Sequence, residues 1–87
     1  MPLPNPNPNP PTLTRRHLAM LQAVAVGRGE ALCGCEPDLL IDGRYCDHLA
    51  SHELFRAGLI ITVEPGVFGQ RVAAVLTDSG RKVLGAV

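Results

Sequence analysis

The sequence predicts a small α+β domain in which helices alternate with short β-hairpins. Residues 14–27 and 44–57 each carry apolar positions at helical spacing. Two runs rich in β-branched residues, 59–64 and 70–76, flank a loop that reads Pro65-Gly66-Val67-Phe68-Gly69. Glycines follow both helical runs, Gly27 and Gly29 after the first and Gly58 after the second. The expected order is helix, short hairpin or loop, helix, two-stranded hairpin and short C-terminal helix.

With 87 residues the chain holds one domain. Residues 1–11 contain most of its prolines, in a Pro/Asn alternation that can form neither a helix nor a central strand. They read as a disordered or polyproline-like leader, which leaves 12–87 as the folded domain. The only aromatics are Tyr45, Phe55 and Phe68, so Leu, Val, Ile and Ala must build the core.

Thr14 is the expected N-cap of the first helix, with Leu13 and Leu18 at the positions of a hydrophobic staple. Arg15, Arg16 and His17 fall in its first turn, where the helix dipole disfavours cations. Residues 30–42, EALCGCEPDLLID, place the turn signal Glu36-Pro37-Asp38 between two apolar runs, which suggests a hairpin over 31–35 and 39–42. The second helix, over 44–57, turns Tyr45, Cys46, Leu49, Ala50, Leu54 and Ala57 to one face. Arg44, Asp47, His48, Ser51 and Phe55 fall on the other, and Glu53 sits poorly on the apolar side. In the final hairpin Ile61, Val63, Val72, Ala74 and Leu76 are expected to face inward. Thr77 should cap the last helix, with Asp78 complementing its dipole.

Lys and Arg total eight and Asp and Glu total eight, so no net charge draws the chain to nucleic acid or acidic lipid. A local basic patch is still allowed. The odd cysteine count of three does not suit a disulfide scaffold. The start of the chain lacks a basic segment followed by an apolar run, and no stretch is long enough to span a membrane. A cytoplasmic protein with reduced thiols is expected.

The run Leu54-Phe55-Arg56-Ala57-Gly58-Leu59-Ile60, then Val72 to Val75, then Leu76-Thr77-Asp78-Ser79-Gly80-Arg81 with Leu84, resembles winged-helix transcription regulators of the MarR-like type. The likeness is best over residues 44–84. In that family L-x-x-x-G-L-[IV] closes the recognition helix, a wing follows, and L-T-x-x-G-R-x-x-L opens the next helix. The family's usual second helix is not recognisable here, where the interval GEALCGCEPDLLIDG stands instead.

The resemblance implies a DNA-binding regulator or accessory factor, with 44–57 as recognition helix and 65–70 as wing tip. Arg44, His48, Ser51, His52 and Arg56 would then read the groove, while Arg71, Arg15, Arg16 and Arg28 would hold phosphates. Dimerisation would extend a short site, through the last helix or the strand face that carries Val75. The alternative is a protein-interaction module on the same scaffold, favoured by neutral charge and by Phe55 and Phe68 as anchors. Either version could hold zinc through Cys33, Cys35, Cys46 and His48, with His52 one turn further on. The same cysteines could instead form a redox pair or fill the core. No nucleophile–base grouping or phosphate loop is recognisable, so binding rather than catalysis is expected.

Overall fold

A computed structural model describes residues 13–85. The reading of 1–11 as a leader lies outside the described residues. The elements run α1 (Arg15–Ala25), β1 (Gly29–Leu32), β2 (Asp38–Ile41), β3 (Arg44–Tyr45), α2 (His48–Arg56), β4 (Ile60–Thr62), β5 (Arg71–Leu76) and α3 (Asp78–Gly85). All strand pairs are antiparallel, and the sheet order is β3-β2-β1-β5-β4. The described residues form a small α+β domain with three helices and one five-stranded sheet. Among the described residues no helix is long and apolar enough to cross a membrane.

Helix α1 packs on β1, β2 and β5 and touches both other helices. Its buried stripe is His17, Met20, Leu21 and Val24, the i, i+3, i+4, i+7 spacing of one helix face. Leu39, Leu54, Leu59, Ile60, Ala74 and Leu76 complete the core. Leu13 and Leu18 pack against it together, as a staple would.

The second helix is shorter than its apolar pattern suggests. It starts at His48 behind the N-cap Asp47, whose carboxylate accepts from Ala50 N–H at 3.0 Å. Residues 44 and 45 belong instead to β3, which pairs Leu40 with Tyr45 and Ile41 with Arg44. Asp42 (φ 53) and Gly43 (φ 78) make the two-residue turn before it. A turn with φ > 0 at both centres matches the right-handed twist of strands, and Asp-Gly adopts it at low cost. The Asp42-Gly43 pair is therefore the centre of a further hairpin, β2–β3.

The outer hairpin is in register one residue away from expectation. Val72, Ala74 and Leu76 are buried as expected, but Ile61 and Val63 are more than half exposed. Partners across an antiparallel pair share a face. Because Ile60 pairs with Leu76 and Thr62 with Ala74, those residues turn inward, and Ile61 turns outward with Val75.

The entry to β4 is set by Gly58 (φ 71), a left-handed residue that ends α2 and lets Leu59 N–H bond Leu54 O at 3.1 Å. The start of α3 is tied to the same segment. Thr77 N–H donates to Leu59 O at 3.0 Å, and Thr77 Oγ1 donates to Gly58 O at 2.5 Å while accepting from Gly80 N–H at 3.1 Å. Gly80 is buried so closely that a Cβ there would stand 2.1 Å from Leu59 O. The spacing of Gly58-Leu59 and Thr77-x-x-Gly80 thus records one backbone-on-backbone contact.

Candidate functional site

The polar side of α2 does not face open solvent alone. His48, His52 and Arg56 stand at i, i+4 and i+8, one above another, and the turn between β1 and β2 lies alongside them. Asp38, the first residue of β2, directs one carboxylate oxygen at both imidazoles. Its Oδ1 accepts from His48 Nδ1 at 2.8 Å and from His52 Nε2 at 3.0 Å. The hydrogen bond from His48, joined by that from His52, holds the Asp38 carboxyl below the usual carboxylate range. On the far side of His52, Nδ1 lies 3.3 Å from Glu36 Oε2. The other Glu36 oxygen accepts from Arg56, and that bond depresses the Glu36 carboxyl.

The ligand-type atoms of Asp38, His48 and His52 all lie within 4.8 Å of one another. Beside them runs a groove of about 500 Å³ between the turn, α2 and β4, lined by Pro37, His52, Phe55, Arg56, Ile60 and Thr62 among others. Phe55, expected on the outer face, is half-buried there and packs against the core.

The three cysteines go to three different places. Cys33 lies under the wing loop, where its sulfur would be 2.5 Å from a Cβ on Gly66. Cys35 is exposed in the β1–β2 turn, and Cys46 packs against the core, where burial pushes its thiol pKa up. Among the described residues, the group of metal-ligating type joins His48 to Asp38 and His52, and Cys33, Cys35 and Cys46 are not in it. Cys46 follows β3, where its N–H donates to Leu39 O at 3.2 Å, while Cys33 lies against Gly66 of the wing loop and Cys35 is exposed, so the zinc set expected from the sequence is not assembled. Asp38 is the member of this group that the spacing of cysteines and histidines did not point to; its one signal in the sequence is its place after the Glu-Pro turn.

The residues expected to touch DNA are likewise dispersed. Ser51 is buried, and its hydroxyl donates to Asp47 O at 2.8 Å. Arg44 sits on β3 rather than on the helix. Arg16 pairs with Asp47 at 2.5 Å, Arg56 with Glu36 and Arg28 with Asp42. Arg15, Arg44 and Arg71 are exposed and enter no ion pair among the described residues.

His17 and Glu53 form a second polar node, which the sequence reading split between two elements. Thr14 N–H donates to His17 Nδ1 at 3.0 Å, so the ring proton sits on Nε2, which donates to Glu53 Oε1 at 3.2 Å. With His17 N–H bonding Thr14 Oγ1 at 3.3 Å, this is a capping box in which histidine replaces the usual Glu or Gln. Glu53, misplaced on an apolar stripe, is the acceptor that a buried imidazole requires.

Fold and site together define a small α+β domain with a His–carboxylate cluster along its second helix. No family model, curated protein or solved structure matches the chain.

Proposed function

We propose that this chain is a winged-helix DNA-binding domain, a small transcriptional regulator or accessory factor. In it α2 is the recognition helix and residues 63–70, between β4 and β5, are the wing. The sheet order carries this reading. β5 lies between β1 and β4, α2 directly precedes the β4–β5 hairpin, and α1 packs behind. Taking out the β2–β3 hairpin leaves helix, strand, helix and wing, so that hairpin stands where the family has its second helix.

The cations near the start of α2 suit groove entry from that end. Arg15 and Arg16 line a groove with Asp47 and Leu49, and Arg44 lies on the strand that leads into the helix. Arg71 opens β5 beside the wing. With most other arginines held by carboxylates, phosphate contact rests on Arg15, Arg44 and Arg71. The logarithm of affinity should fall with that of salt at a slope of about −3.

Fluorescence anisotropy of a labelled mixed-sequence duplex, titrated with the full chain at several salt concentrations, tests this. Arg44→Ala and Arg71→Ala should each reduce the slope by about 1. No binding at low salt would overturn it.

A second reading, contact with another protein surface, rests on the outer face of the β4–β5 hairpin. Ile61 on the edge strand β4, Val63 just beyond it and Val75 opposite Ile61 on β5 are exposed there, and Phe68 is 84% exposed in the wing. The partner that fits an apolar edge best is a second copy of this chain, paired edge to edge about a twofold axis. Light scattering on the wild type and on Ile61→Lys reads it: a dimer that Ile61→Lys converts to monomer supports it, and a wild-type monomer at high concentration excludes it.

A further inference from the structure

We propose that Asp38, His48 and His52 form a binding site for a divalent transition metal of the zinc type. The inference stands apart from DNA binding, and its test contains no DNA.

The geometry is that of three donors already converged. Two imidazole nitrogens, His48 Nδ1 and His52 Nε2, point at the same Asp38 oxygen from 2.8 and 3.0 Å. Tetrahedral metal–nitrogen and metal–oxygen bonds of about 2.0–2.2 Å require neighbouring donors roughly 3.3–3.6 Å apart. The two Asp38–histidine separations fall somewhat short of that and all three donor atoms lie within 4.8 Å of one another, so a small adjustment of side chains turns a shared-proton cluster into a coordination shell. The histidines are held at that spacing by one helix turn, and Asp38 is fixed by its place in β2.

The surroundings match what a metal-bound histidine needs. His52 presents Nε2 to the site and Nδ1 to Glu36, 3.3 Å away, and Arg56 anchors Glu36 in turn. A carboxylate behind the ring fixes the tautomer that leaves Nε2 with a free lone pair and raises its basicity. On binding, the protons that now bridge to Asp38 leave the two ligating nitrogens, either to the other ring nitrogen or to solvent.

Two imidazoles and one carboxylate suit zinc, cobalt or nickel better than magnesium or calcium, which prefer all-oxygen sites. Three protein donors leave one tetrahedral position for water or an exchangeable ligand. The outward side is open, since the His48 side chain is 66% exposed.

The test is a titration of the chelator-treated full chain with Co²⁺, followed by displacement with Zn²⁺. One equivalent should give visible ligand-field bands without the near-ultraviolet thiolate band, and Zn²⁺ should bleach them. Replacing Cys33, Cys35 and Cys46 together with serine should leave the spectrum unchanged. Asp38→Asn and His52→Ala should weaken binding more than tenfold. Glu36→Gln should weaken it about 10–100-fold with one equivalent retained. In wild-type NMR spectra, Zn²⁺ should move the ring signals of His48 and His52 and not those of His17, which is buried and outside the cluster. This readout needs no variant to fold. Absence of saturable binding, a thiolate band, or unmoved His48 and His52 rings would overturn the assignment.

Discussion

The C-terminal end of α2 and its polar side make contacts held by opposite physics. At its C-terminal end, Gly58 and Leu59 meet Thr77 and Gly80 backbone to backbone, with no room for one added methyl group. Along its polar side, His48, His52 and Arg56 meet Glu36 and Asp38 through side chains, of which His48, Arg56 and Glu36 keep more than half of their surface in water. The first contact is set by shape and admits one arrangement. The second is set by charge and can exchange partners, because exposed ion pairs gain little over hydration. A chain can therefore keep its fold through the one and use the other to bind.

The largest effect should come from breaking the shape contact. Gly80→Ala would drive a Cβ to 2.1 Å from a carbonyl oxygen that already accepts from Thr77. Overpacking against backbone costs about 3 kcal/mol, a large fraction of the stability of so small a domain. Thermal unfolding should show a drop of more than about 10 °C. A drop of only a few degrees would mean that α3 slides easily and that the lock is not one.

An intermediate effect is expected between these extremes, where a buried group meets a half-exposed one. Glu53→Ala removes the acceptor of His17 Nε2–H, and His17 is 6% exposed. Leaving that donor unpaired costs about 1–2 kcal/mol. Chemical denaturation should show the midpoint lowered, with a larger loss than for Glu53→Gln, whose amide oxygen still accepts.

The smallest effect belongs to the charge contact. Arg56→Gln should leave Tm within about 4 °C of wild type, as exposed substitutions do. Its pH dependence is the sharper readout. Arg56 depresses the Glu36 carboxyl, so its contribution is present above the ordinary carboxylate pKa and is lost as pH falls through the depressed one. The wild-type and variant melting curves should therefore converge as pH is lowered below about 4. A difference that persists in acid would show that Arg56 acts by packing along the groove rather than by charge.

How much was readable in advance follows the same division. The order of helices and hairpins, the caps at Thr14 and Thr77, and the inward set Val72, Ala74 and Leu76 were legible because each depends on neighbours in sequence. So was Gly58 as a helix stop. The motif around Leu76-Thr77 and Gly80 marked a constraint, although only its spatial partner, Leu59, shows what is constrained.

The misreadings all concern pairing between distant segments. Residues 44 and 45 fit a helical face, but strand pairing with β2 outweighed that local pattern. Ile61 and Val63 alternate as well as Ile60 and Thr62 do, and only the partner strand chooses between the two sets. Glu53 looked like an error until His17 was placed beside it. The candidate metal ligands shifted from cysteines close in spacing to an aspartate ten residues before His48.

By itself, the sequence determined the small α+β class, the turn positions and the residues available for the core, because backbone preference and hydrophobic period act over a few residues. Tertiary structure alone decided which polar groups meet. Charge pairing acts through space, and the turn that carries Glu36 and Asp38 reaches α2 only once β1 and β2 have paired. That is why the fold class was legible in the sequence and the His–carboxylate site was not.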